Sequence, residues 1–109
     1  YKLRRFDIWI ESNVPTGSGL SSSAALEITT LKAIRSAFKL DISDVEIAKI
    51  GQRIENEFVG ARVGIMDQMA CSLAQSGEAL FLDTHHLTYE RIPLPLKQMD
   101  MVVINSGVT

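Results

Sequence analysis

The order of elements in these 109 residues predicts a mixed helix-and-strand domain: one strand, then helices, then strands again. Three observations carry that expectation. Phe6, Ile8 and Ile10 alternate with Asp7, Trp9 and Glu11, the period-two pattern of a half-buried strand. Between Ala24 and Leu73 the apolar residues recur at helical spacing in three blocks. Short apolar runs, Ala79–Leu82, Leu87–Ile92 and Met101–Ile104, then follow as three further strands.

Taken in order, the first strand ends before Asn13. Pro15, Gly17 and Gly19 then allow a tight loop with unusual backbone angles. A long helix starts near Leu20 or Ser21, with Ala24, Ile28, Leu31 and Phe38 on one face. Leu40-Asp41-Ile42 breaks it. Ser43 with Glu46 three residues later is a capping-box signature for a second helix, whose apolar stripe is Ile47, Ile50, Gly51, Ile54 and Phe58. Gly60 and Gly64 bracket a connection to a third helix marked by Met66, Met69, Ala70 and Leu73, with Asp67 in its first turn and Gly77 as its C-terminal cap. Met66 and Met69 read as core.

Composition bounds the partners. The chain has the size of one small domain, and 46% hydrophobic residues suffice for a single modest core. A net charge of -2 and a pI near 5.6 give no cationic footprint for nucleic acid or an anionic membrane. Any anionic ligand must therefore be held locally. The single cysteine, Cys71, cannot close an internal disulfide, and no apolar run approaches the roughly 20 residues that span a bilayer. No signal peptide opens the chain, so a cytoplasmic protein is expected, and a start at Tyr1 suggests a fragment. Cys71 itself reads as a small buried residue, and His85 and His86 as surface residues of a polar turn.

The segment Pro15-Thr16-Gly17-Ser18-Gly19-Leu20-Ser21-Ser22-Ser23-Ala24-Ala25 lies where a strand feeds a helix. Glycines let backbone approach a bulky anion, and the unpaired amides and positive dipole end of the helix favour phosphate there. The three serines add hydroxyls suited to a phosphate oxygen or a magnesium ion. The Gly-Lys-Ser/Thr ending of an ordinary P-loop is missing. Downstream, Glu55 and Asp67 supply carboxylates for the two tasks a phosphoryl transfer needs, holding a divalent cation and taking the proton of an acceptor hydroxyl. As isolated residues they read as a solvated side chain at the rim of the second helix and a helix-start residue.

The loop resembles the second motif of the GHMP small-molecule kinases, Pro-x-Gly-x-Gly-Leu-Ser-Ser-Ser-Ala-Ala, in the form found in the galactokinase family. Glu55-Asn56-Glu57-Phe58-Val59-Gly60 followed by Gly64-Ile65-Met66-Asp67-Gln68 resembles the galactokinase segment that carries a magnesium-ligating glutamate and the catalytic aspartate. The likeness continues through Gly77–Asp83 and the closing Val103–Val108 stretch. It implies an α+β fold, the N-terminal, ATP-binding half of a GHMP kinase, like the second domain of ribosomal protein S5. Residues 1–109 would form a single partial domain, because the family's Gly-Glu-His-x-Asp segment and its later glycine-rich motif are not in these residues.

By the same resemblance, the chain is expected to transfer the γ-phosphoryl of ATP to the C1 hydroxyl of galactose. Gly17, Ser18, Gly19, Leu20, Ser21, Ser22 and Ser23 would surround the nucleotide phosphates, Ser23 and Glu55 would hold Mg²⁺, Asp67 would face the sugar hydroxyl as the catalytic residue, and Gly64 would line the sugar pocket. Arg62 and Val63 depart from the proline and cysteine common in galactokinases and leave the sugar open. Plant arabinose kinases share much of the pattern, so another sugar such as arabinose is one alternative. An inactive sugar and nucleotide sensor of the same fold is the other.

Overall fold

The computed structural model describes residues 1–104, 106 and 107. Helix α1 spans Ser22–Phe38 and buries Ala24 and Ile28. It stops at Lys39, which adopts a left-handed conformation and returns its amide to the Arg35 and Ser36 carbonyls, while Leu40 N–H bonds the Arg35 carbonyl at 3.0 Å. Helix α2 spans Asp44–Arg53 and opens with the expected capping box: the Ser43 hydroxyl accepts from Glu46 N–H, and Ser43 N–H donates to the Glu46 carboxylate at 2.8 Å. Helix α3 spans Met66–Leu73.

Between α2 and α3 the chain winds one π turn, Ile54–Val59, ended by Gly60 at φ 83°. The wider turn changes the phase of the apolar stripe. Ile47 and Gly51 are buried as the periodicity predicts, but Phe58 is 89% exposed and Glu55 has moved inward. Ala48, absent from the predicted stripe, is fully buried instead.

The remaining described strands form a single antiparallel hairpin. Strand β1, Glu78–Asp83, pairs with β2, Thr88–Pro93, in the register Glu78 to Pro93 through Asp83 to Thr88. Leu80 and Leu82 share one face of β1 and, with Val45 and Leu87, cover a core of Ala48, Ile65, Met69 and Leu73, whereas Phe81 points to solvent. The hairpin also closes α3: Arg91 Nε donates to the Leu73 carbonyl at 3.1 Å, a cation on the negative end of the helix. On the opposite side, Lys32 Nζ donates to the Ser72 carbonyl at 2.6 Å, and both Lys32 and Arg35 of α1 pair with Asp44 at the start of α2.

The arrangement is α+β, three packed helices and a hairpin. Several local expectations need correction. Phe6–Ile10 and Met101–Ile104 are not strands, because no described segment offers either one a hydrogen-bonding neighbour, and Trp9 and Ile104 stay exposed. Gly77 is no helix cap. Helix α3 ends at Ala74, and Gly77, at φ 80°, turns the chain into β1. Met66 is exposed rather than core: it is the first residue of an eight-residue helix that buries Gln68, Met69, Ser72 and Leu73. Cys71 lies off that side and is exposed as well. Of the closing Val103–Val108 stretch, Asn105 and Val108 lie outside the described residues. Among the described residues, no helix is long and apolar enough to cross a membrane.

Met69 is the centre of the helical core and has no exposed surface, while Met66 is 63% exposed. Truncating Met69 to alanine should therefore cost about 2–5 kcal/mol of stability, and Met66→Ala well under that. Denaturant midpoints of the two variants, measured side by side, check the contrast; equal midpoints would put the core elsewhere.

Candidate functional site

The loop from Pro15 to Ser21 is built by three left-handed residues. Gly17 and Gly19 take φ 68° and 74°, which glycine adopts without penalty. Ser18 ties the turn by donating its hydroxyl to the Pro15 carbonyl at 2.9 Å. Ser21, at φ 54° and ψ 43°, is left-handed without being glycine, a conformation that costs roughly 1–3 kcal/mol and needs support from its surroundings.

That support comes from across the fold. The Ser21 hydroxyl donates to Asp67 Oδ2 at 2.6 Å, joining the start of α1 to the first turn of α3. The geometry takes the Ser21 side chain away from the helix end it precedes. No side chain caps α1, and its first turn carries no acidic residue. The amides of that turn are therefore left for an anion, with the dipole of a 17-residue helix behind them. The two features singled out in sequence, the glycine-serine loop and Asp67, are thus in direct contact. The connection leading to Asp67 is fixed by Asn56, whose side chain accepts from Val63 N–H at 2.9 Å. Gln52 Nε2 donates to the Val63 carbonyl at 3.2 Å. Gly64, the expected wall of a sugar pocket, is exposed in this connection, three residues before Asp67.

Glu55 is not the rim residue its spacing predicts. The π turn carries it inside, to 7% exposure, where its Oε2 has no hydrogen-bond partner. Its neighbour there is Glu27 of α1, a residue the sequence reading passed over. Burial pushes the Glu27 carboxyl up to about 7 from an ordinary 4.5, and the hydrogen bond with Glu55 and its negative charge push the same way, while a hydrogen bond from Gln68 opposes them. Gln68, also passed over, is 2% exposed. A signal for Glu27 was present: it stands three residues after Ala24, which is buried, hence beside the inner face of α1. Gln68 follows Asp67 and sits on the inward face of an amphipathic helix.

The fit to magnesium can be judged on these atoms. Ser23 is exposed in the first turn of α1, one helical turn from Glu27, and Glu27 touches Glu55. Among the described residues no group of three or more histidine, cysteine, aspartate or glutamate side chains could hold a metal. A magnesium ion would then rely on one or two carboxylates together with phosphate oxygens and water, which is its ordinary habit in kinases. The orphaned buried oxygen of Glu55 suits that role.

The other titratable candidates stay outside the site. His86 pairs with Asp83 at 2.7 Å and packs edge-on against His85 in the exposed hairpin turn. Desolvation and the charge of Asp67 raise the Cys71 thiol, so it is no activated nucleophile.

Comparison with known proteins places the site in context. The sequence model described as GHMP kinases N terminal domain matches residues 1–75. The chain is 46% identical to the galactokinase of Lactobacillus helveticus over 99 residues, covering 91% of this chain and 26% of that protein. It is 44% identical to the galactokinase of Thermosipho africanus over 108 residues, covering 99% and 31%. The crystal structure of Lactococcus lactis galactokinase complexed with galactose superposes with a TM-score of 0.73 at 38% identity, covering 76% of this chain and 21% of that one. The chain spans about a quarter to a third of the length of the relatives it matches.

Glu27 titrates higher folded than unfolded, so its contribution to stability is complete below about pH 4.5 and is lost as pH rises through about 7. In metal-free buffer, the melting temperature of the full protein carrying this chain should fall across that window. Glu27→Gln should flatten the fall. A variant profile with the parental slope would assign the dependence to another group.

Proposed function

We propose, from the premise that this chain belongs to the GHMP kinase family, that the protein carrying it is a galactokinase, which transfers the γ-phosphoryl of ATP to the C1 hydroxyl of galactose. The observation that carries the reading is the 2.6 Å hydrogen bond between Ser21 and Asp67, because it brings an anion-binding helix start and an acceptor carboxylate into one site. In this reading the amides of Gly17 to Ser23 and the α1 dipole hold the nucleotide phosphates. Leu20 contributes its backbone to that cradle, exposed at 47%.

Ser21 fixes one oxygen of Asp67, and the other takes the proton of the C1 hydroxyl as the sugar oxygen attacks the γ-phosphorus and ADP leaves. The backbone near Gly64 lines the sugar side. Ser23 and Glu55 would hold Mg²⁺, which supplies charge neutralisation on the phosphates when bound. Catalysis is mainly positioning and electrostatics, so the 109 residues alone are expected not to turn over. A cytoplasmic setting, with no nucleic-acid or membrane partner, belongs to the same reading and rests on the chain's composition.

Arg62 and Val63 stand exposed beside Gly64 and are the residues through which another sugar would be favoured. Assay of the full protein with ATP and a panel of sugars should give galactose 1-phosphate. Turnover of arabinose alone would overturn the substrate and keep the chemistry, and binding without turnover would make the protein a sensor. In the active protein, Asp67→Asn should lower kcat by about 10² to 10⁴ with little change in Mg-ATP affinity. Ser23→Ala and Glu55→Gln should instead weaken magnesium-dependent nucleotide binding, read by calorimetry. Near-parental kcat in Asp67→Asn would remove Asp67 from the catalytic centre.

A further inference from the structure

Five buried side-chain oxygens in the described structure lack a hydrogen-bond partner: Glu27 Oε2, Asp44 Oδ1, Glu55 Oε2, Gln68 Oε1 and Glu78 Oε2. Two of them have a cation at hand. Asp44 Oδ1 lies 2.8 Å from Arg35 and 3.6 Å from Lys32, and Glu78 Oε2 lies 3.9 Å from Arg91. The other three have none, and they belong to residues that touch one another. Glu55 and Gln68 both act on the Glu27 carboxyl at short range. No described lysine, arginine or histidine makes an ion pair with Glu27 or Glu55.

The three come from three elements, α1, the π turn and α3, and two of them, Glu27 and Gln68, meet over Gly51 of α2. A Cβ built on Gly51 would lie 3.3 Å from Gln68 Cγ and 3.6 Å from Glu27 Oε2, so the bare backbone there is what lets the two side chains converge. Glu55 is 7% exposed and Gln68 2%. Burying two carboxylates together without a counter-charge is unfavourable. A single proton shared between Glu27 and Glu55 would relieve part of that, but it would leave the Gln68 carbonyl oxygen without a partner. A cation bound by all three oxygens would compensate both carboxylates and the carbonyl together.

We propose that Glu27 and Gln68 join Glu55 as oxygen ligands of a hard divalent cation of the Mg²⁺ class. This rests on the reading of Glu55 as a metal-holding residue and extends it to two residues with no such role so far. Two carboxylates and an amide carbonyl are an oxygen-only donor set, which selects magnesium or manganese over the softer metals. Ser23, exposed one turn before Glu27, marks the side on which phosphate oxygens and water would complete the coordination.

The full protein, free of nucleotide, tests this with Mn²⁺ as the probe, followed by electron paramagnetic resonance and by thermal melting with and without EDTA. The parent should bind one Mn²⁺ per chain and melt higher with it. Glu27→Gln should weaken Mn²⁺ binding by about tenfold or more, as should Glu55→Gln, by loss of one charged ligand. Gln68→Met, which keeps the volume and removes the oxygen, should weaken it less. In EDTA, Glu27→Gln should melt at or above the parent, since it removes a buried like charge. Parental Mn²⁺ affinity in Glu27→Gln beside weakened binding in Glu55→Gln would overturn the proposal and leave the magnesium role of Glu55 intact. No Mn²⁺ binding by the parent, or a Glu27→Gln variant that melts well below it in EDTA, would also overturn it. Absence of sugar phosphorylation, by contrast, bears on the galactokinase reading alone and leaves the Mn²⁺ result to stand by itself.

Discussion

The absence of a side chain at Gly51 is the constraint on which the rest of the site hangs. Gly51 is helical and needs no unusual backbone angle; what it provides is space. A Cβ there would come within 3.0 Å of Ile28 Cδ1 on α1 and 3.3 Å of Gln68 Cγ on α3, so the three helices approach one another over a bare patch of backbone. Two of these helices, α1 and α3, are joined at their starts by the Ser21–Asp67 hydrogen bond. The bare patch also leaves room for Glu27 and Gln68 to approach each other. A helix glycine ordinarily weakens its helix by about 1 kcal/mol relative to alanine. Here the loss is offset by close packing of three elements and by the convergence of polar groups that packing alone would not assemble.

The loop before α1 trades local strain for a long-range contact. Ser21 holds a left-handed conformation in which a serine hydroxyl does not cap its own helix, and it spends that hydroxyl on a carboxylate 46 residues away. One substitution of role thus does two things. It leaves α1 without a side-chain cap, and it ties Asp67 to the start of α1. Gly17 and Gly19 take the turns that a side chain would make costly, which leaves Ser21 as the residue whose strain the tertiary structure must support.

Where interactions are local, the sequence was legible. The Ser43–Glu46 capping box, the glycine loop before α1, the helical faces of Ala24, Ile28, Ile47, Met69 and Leu73, and the hairpin of β1 and β2 all follow from spacing within a few residues. Asp67 and Glu55 were singled out by their motifs, and Asp67 is in contact with the glycine-serine loop. What the sequence reading missed depends on contacts between elements. Phe58 and Glu55 exchange inside for outside because the helix widens into a π turn, and no local periodicity signals that change. Residues 6–10 and 101–104 have the alternation or apolarity of strands, yet a strand is a pairing, and pairing partners are not written in a segment's own pattern. Glu27 went unremarked because an acidic residue on a helix is ordinarily solvated, and only the packing of α3 and the π turn against α1 makes it otherwise.

Helix α3 is only eight residues long and is tied at both ends: Ser21 holds Asp67 at its start, and Arg91 of β2 and Lys32 of α1 take the carbonyls at its close. A helix this short does not persist unaided in water. Helix α3 therefore owes one of its end ties to a hairpin that comes after it in the chain. As the protein is made, from its N-terminus onward, Ser21 and Lys32 emerge before α3, and the tie from Arg91 comes only once β2 has folded back. The last of the contacts that hold α3 is in this sense delayed to the far side of its own sequence, and a nascent chain halted before β2 would carry Ser21 and Asp67 without that final tie.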